Sequence, residues 1–228
     1  MRVAFFIDFW NFQLTWNDYH RRCGAQGVVR VPWYPQLIDV LIRRVNPAAE
    51  YMGTFLYASY DPESLADRRL CTFMNVLAGL PGFTVTLKTR KPIGPVICSH
   101  GDCRQPIVTC PHCQQALRRT VEKGIDTALV TDLIRLGLEG FYDRAVLISA
   151  DSDYVPAVEY LRTKGRLITH VWWRGHAHEL RTACWDHILI DNLMPELIPE
   201  SPAETTEDDG AEEEGVPTEN AITVAALS

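Results

Sequence analysis

Three short stretches carry acids where paired carboxylates could do chemistry: Phe6-Ile7-Asp8-Phe9-Trp10-Asn11, Glu122-Lys123-Gly124-Ile125-Asp126 and Ser149-Ala150-Asp151-Ser152-Asp153. Asp8 ends an apolar strand-like run, Asp151 closely follows the apolar run Ala145 to Ile148, and Asp126 falls in the first turn of a helical stretch. Carboxylates that converge within a few ångströms repel and raise one another's pKa unless a cation sits among them. Magnesium or manganese suits such a set, because these hard ions bind through one or two carboxylates and keep positions for water and a substrate phosphate. The chemistry expected is metal-assisted attack of water on a phosphodiester. A plainer role competes, since Asp126 and Asp153 suit helix starts, where a carboxylate accepts free backbone N–H groups. Capping is not expected at the strand-end acids Asp8 and Asp151, so convergence is the better reading of the set.

The cysteines suggest a second metal. Of seven, Cys98, Cys103, Cys110 and Cys113 crowd together, whereas Cys23, Cys71 and Cys184 are scattered. Cys98-Ser-His-Gly-Asp-Cys103 and Cys110-Pro-His-Cys113 resemble the two turns of a zinc ribbon, with thiolates spaced to approach one tetrahedral Zn²⁺. Four thiolates would leave no open position, so the ion is expected to be structural. His100 or His112 replacing one thiolate, and plain reduced thiols, stay open as alternatives. Such clustering favours a reducing compartment, and a cytoplasmic location is expected. Lys88, Arg90, Lys91, Arg104, Arg118 and Arg119 flank the insert as a basic surface that could meet a polyanionic substrate.

The elements that must position these residues alternate. Strands are expected at Val3–Asp8, Tyr51–Ser59, Phe83–Lys88, Arg144–Ser149 and Arg166–Trp173, with His187–Ile190 closing the domain. Helices are expected at Phe12–Arg22, Tyr34–Val45, from Pro62 to Ala78, at Gly124–Leu138, Tyr154–Lys164 and Ala177–Ala183. Alternation of this kind gives an α/β fold, a Rossmann-like parallel sheet of about five strands flanked by helices, whose ligands gather at the carboxyl ends of the strands. The domain is expected over residues 1–195, with the ribbon inserted at 96–116. Residues 199–228 lack periodicity and read as an acidic, disordered tail. Of the 29 acidic residues ten follow Met194, and none of the 22 basic residues does, so the formal charge of −7 hides a body carrying +3 over residues 1–195. No stretch approaches the roughly 18 apolar residues of a membrane span, and the apolar start Val3 to Ile7 reads as a strand rather than a leader.

Phe6-Ile7-Asp8-x-x-Asn11, Glu122-Lys123-Gly124-Ile125-Asp126 with Asp132 beyond, and Leu147-Ile148-Ser149-Ala150-Asp151-Ser152-Asp153-Tyr154-x-Pro156 together resemble the NYN domains of the PIN-like nucleases. The resemblance implies a metal-dependent endoribonuclease. Asp8, Asp126, Asp151 and Asp153 would bind Mg²⁺ or Mn²⁺, and Asn11 would orient Asp8 or a phosphate. Beside this carry-over, Lys123 is a candidate for contacting a substrate phosphate, and Trp10 at the pocket mouth for stacking on a base of single-stranded RNA. Asp132 lies about 240° round the helix from Asp126 and would stand behind the pocket as a supporting residue. The zinc insert departs from the family's minimal pattern. Two other readings remain open: an inactive RNA-binding or protein-docking module of the same fold, and a Mg-dependent phosphatase or Toprim-like enzyme. A second copy or a protein partner could dock through the ribbon or the tail. Trp172 and Trp173 are expected to pack rather than bind, and His20, His170 and His187 show no partner in the sequence.

Overall fold

The computed structural model describes residues 1–26, 29–117, 119–175 and 178–198, so the expected tail, Arg118 and His176 lie outside the described residues. Strand β1 (Arg2–Asp8) explains the architecture. Val3, Phe5 and Ile7 point to one face and Ala4 and Phe6 to the other, and all five are buried. A strand apolar on both faces must lie inside a sheet covered by helices on both sides. One cover is formed by α1 (Phe9–Arg22), α2 (Ile38–Val45) and α3 (Leu65–Ala78), with Phe12, Trp16, Leu41, Leu70 and Met74 packed against Phe5 and Ile7. The other is formed by α4 (Ile125–Leu138), α5 (Val155–Thr163) and α6 (His178–Ala183), with Leu129, Leu133, Val158 and Leu161 packed against Phe6.

The sheet has six strands, the five expected and the closing one, which runs Asp186–Leu189. β2 (Glu50–Tyr60) and β3 (Phe83–Thr89) extend it on one side of β1, and β8 (Arg144–Ile148), β9 (Leu167–Trp172) and β10 (Asp186–Leu189) on the other. All pairings are parallel. The sheet therefore grows outward in both directions from the β1–β8 pair, and its switch point opens between Asp8 and the loop after Ile148.

Element bounds differ from expectation where local chemistry decides them. Pro62 does not open α3; Ser64 caps it, accepting the N–H of Asp67, and the helix begins at Leu65. The Tyr34–Val45 helix starts as a π-helical turn (Trp33–Leu37) before α2.

Between β3 and α4 the chain leaves the sheet. β4 (Lys91–Ile93) pairs antiparallel with β7 (Arg119–Val121) to form an arm. At its end β5 (Val96–Ile97) pairs with β6 (Pro106–Ile107), and an isolated bridge joins Thr109 and Ala116. Among the described residues, no helix is long and apolar enough to cross a membrane.

Candidate active site

β1 passes directly into α1, so Asp8 is both the last strand residue and the N-cap of the helix. Its Oδ1 accepts the backbone N–H of Asn11 at 3.2 Å. The same design recurs after β8, where Asp151 caps the short 3-10 turn Ser152–Tyr154 and accepts the N–H of Asp153 at 2.9 Å. The capping roles are thus the reverse of those expected. The strand-end acids are caps because each strand meets its helical turn with little or no intervening loop, whereas α4 begins after Gly124 with no side-chain cap. Capping uses one carboxylate oxygen and leaves the other of Asp8 facing the switch point.

Side chains lock the two strand ends together. Asn11 Oδ1 accepts the N–H of Ala150 at 2.8 Å, and Ser149 Oγ donates to Asp8 Oδ2 at 3.0 Å while accepting the N–H of Asp151 at 3.1 Å. Below them His170, fully buried, donates from Nε2 to the Ser149 carbonyl at 2.7 Å, the carbonyl being able only to accept. Burial lowers the His170 pKa to about 4, so its ring is neutral.

Tyr154 gathers the acids. Its buried hydroxyl lies 3.3 Å from Asp8 Oδ2 and 3.2 Å from Asp126 Oδ1, and its single proton can serve one at a time. Burial, then the charges of Asp8 and Asp126 and, more weakly, of Asp151, hold this phenol far above its usual pKa. Asp8 is pushed up to about 6, first by burial and further by Asp126 and Glu122, against the hydrogen bonds from Asn11 and Ser149. Glu122 joins from just past the arm's return strand, accepting from the buried Ser59 Oγ. The same oxygen accepts Arg90 Nε at 2.9 Å, Trp10 Nε1 donates to the Ser59 carbonyl at 2.6 Å, and the Arg90 guanidinium lies over the Trp10 ring at 5.1 Å. Among the described residues, Asp8, Glu122, Asp126, Asp151 and Asp153 form no ion pair with Lys, Arg or His.

Of the residues expected from sequence, Asp8, Asn11, Asp126 and Asp151 come together. Asp153 is exposed, and it is its backbone N–H that joins the loop's hydrogen bonds. Asp132 instead accepts from the Tyr57 hydroxyl at 2.9 Å and pairs with Arg135 at 3.0 Å, a packing role consistent with its place round the helix. Lys123 is exposed beside the site, while Lys88 Nζ donates to the Gly124 carbonyl at 2.8 Å. Gly124 has φ +81°, a left-handed backbone conformation that calls for glycine. Trp173 packs in the core against Phe12, Trp16 and Tyr19, as expected, and Trp172 lies under Arg181.

The sequence reading passed over Ser149, Tyr154 and Ser59 and gave Glu122 no role of its own. Ser149, Tyr154 and Glu122 lie inside the quoted motifs, which was the available signal; Ser59 had none. Cys98, Cys103, Cys110 and Cys113 are free thiols, and backbone N–H groups of Cys113 and His112 hold the Cys110 thiol below its usual pKa. Among the described residues no three His, Cys, Asp or Glu side chains are gathered closely enough to cage a metal unaided. The all-oxygen set at the switch point nonetheless fits a hard ion, which needs only one or two carboxylates with water and phosphate completing the shell.

A six-stranded parallel sheet, helices on both faces and acids at the switch point make this a Rossmann-like α/β domain. Residues 100–191 match the family model of the NYN domain, which bears out the sequence resemblance over the stretch holding Asp126, Asp132, Asp151 and Asp153 and points to a nuclease-like function. The crystal structure of a protein of unknown function from Vibrio parahaemolyticus is similar in fold, with a TM-score of 0.52 and 16% identity over 84% of this chain and 93% of that one. No curated protein matches the chain.

Proposed function

We propose that this protein is a metal-dependent endoribonuclease that hydrolyses RNA at the carboxyl edge of β1 and β8. The observation that carries the reading is the Tyr154 hydroxyl standing between Asp8 and Asp126, two carboxylates with no basic partner among the described residues. Asp8 and Asp126 would hold Mg²⁺ or Mn²⁺, with Asp151 and Glu122 beside them and Asp153 at the rim. The ion, when bound, would supply Lewis acidity that activates water and screens charge on the phosphoryl oxygens. The protein's own part is placement. Asn11 and Ser149 fix Asp8, and Tyr154 fixes the spacing between the two acids. Lys88, Lys91 and Lys123 offer positive charge to the RNA backbone, while Trp10, stiffened by Arg90 and the Ser59 carbonyl, offers a ring edge to a base.

The test is a degradation assay on single-stranded RNA with Mn²⁺, with and without chelator. Cleavage that needs the ion and falls at least about 100-fold in Asp8→Asn and Asp126→Asn is the expected result. Undiminished cleavage in both variants would remove the assignment, and RNA binding without turnover in the wild type would make the domain a binding module.

A further inference from the structure

The insert presents a problem that its backbone goes far to answer. Over residues 91–117 no residue is buried, and Val96, Cys98 and Cys110 are the ones that reach even half-burial. Ile93, Ile97, Ile107, Val108 and Leu117 stay exposed. Two strands of two residues each and one bridge cannot hold an ordered shape without a core, a disulfide or a metal. No disulfide is present.

The two cysteine turns are built alike despite their different lengths. In the first, the N–H of Cys98 bonds to the carbonyl of Gln105 at 2.9 Å; in the second, the N–H of Cys110 bonds to that of Gln115 at 2.8 Å. In each case the acceptor lies two residues beyond the second cysteine. The residue directly after that cysteine is left-handed in both, Arg104 at φ +46° and Gln114 at φ +58°. They are the two non-glycine residues with positive φ among those described. Such a conformation is strained for a side-chain-bearing residue, and it occurs at matching places in two turns of different length whose shared residues are the two cysteines, the His two places after the first and the Gln two places after the second.

We propose that Cys98, Cys103, Cys110 and Cys113 bind one zinc ion as thiolates, and that this ion is the core the insert lacks. The thiols are free and not yet gathered, so binding closes the two turns on the ion, and the four thiol protons pass to solvent. Four thiolates complete a tetrahedral shell, which makes the site structural and separates it from the hard-ion chemistry at the switch point. The proposal does not rest on the nuclease reading, and its test reads no RNA.

The full chain purified without chelator is assayed for metal content, then exchanged with Co²⁺ for absorption spectroscopy. Expected are one zinc per chain and, with cobalt, an intense thiolate-to-metal charge-transfer band. Cys98→Ser and Cys113→Ser variants should lose both, while Cys71→Ser, outside the insert, keeps both. Hydrogen exchange across residues 91–117 should rise on zinc removal and leave β1 and β8 unchanged. A wild-type chain that retains no zinc after zinc supplementation, or cobalt bound without a thiolate band, would overturn the proposal. So would full zinc content in the two insert variants. If a serine variant unfolds the whole chain, the wild-type cobalt spectrum still decides.

Discussion

The two ends of the parallel sheet treat charge in opposite ways. At the amino end acids are answered by arginines: Arg2 grips Asp143 at 2.7 Å, Arg166 lies 3.7 Å from the same carboxylate, and Arg144 reaches Asp186 at 3.5 Å. At the carboxyl end Asp8, Glu122, Asp126 and Asp151 gather round a tyrosine and two serines with no ion pair to answer them among the described residues. The contrast shows in Asp143, held down to about 2 chiefly by its hydrogen bonds from Arg2, against Asp8, pushed up to about 6 by burial and like charge. One end is arranged for stability, and the other keeps a charge imbalance that a cation would relieve.

The largest expected effect is a split between activity and stability at Asp8. Asp8→Asn keeps a good helix cap and removes the buried charge. It should abolish at least about 99% of cleavage yet stabilise the chelated protein at pH 7.5 by up to about 3 kcal/mol, measured by denaturant titration. The sign follows from the raised pKa. The contribution of a protonated Asp8 is fully present below its unfolded value near 4 and is lost as pH rises through about 6. A variant less stable than wild type at pH 7.5 would show that the carboxylate end carries no such imbalance.

His170 offers the counterweight. Its pKa is lowered to about 4, so its contribution is present above the unfolded value near 6.5 and is lost as pH falls toward 4. The two groups oppose each other by similar amounts, about 3 kcal/mol each. Chelated wild type should therefore show nearly level stability between pH 7 and pH 4 from this pair, and Asp8→Asn should lose stability over that interval. A parallel pH profile for both proteins would break the assignment.

Tyr154→Phe comes next. It removes the hydroxyl between Asp8 and Asp126 and should lower cleavage about 10-fold, with weaker Mn²⁺ binding seen by calorimetry. Asp143→Asn, at the other end, is the smallest. Its carboxylate is 39% exposed in a surface pair, so cleavage should stay at the wild-type level and the melting temperature within about 2 °C at pH 7. Its protective effect is present above the usual carboxylate pKa near 4 and is lost as pH falls toward about 2.

The sheet was legible in sequence because its signal is local. The unbroken apolar run of β1 and the alternation of strands with helices follow from side-chain periodicity alone, and adjacency of Asp8 and Asp151 follows from strand order. What was not legible depends on atoms that meet only after folding. That Asp8 would cap a helix could not be read, because the absence of any loop between β1 and α1 is a tertiary outcome. Tyr154 reads as one more aromatic residue until the turn after β8 aims its hydroxyl between two acids. Ser59 is buried near the carboxyl end of β2 with no motif round it, and only Arg90 and Glu122, at the two feet of the arm, give its hydroxyl partners. His170 shows no partner in sequence because its acceptor, the Ser149 carbonyl, is backbone.

The account depends on the carboxyl end of the sheet being a seat for a hard divalent cation. Titration of the full chain with Mn²⁺, followed by electron paramagnetic resonance, tests it most directly. The wild type should bind an ion that Asp8→Asn and Asp126→Asn bind at least about 10-fold more weakly, with Asp143→Asn unchanged. Equal Mn²⁺ affinity in all four proteins would contradict it.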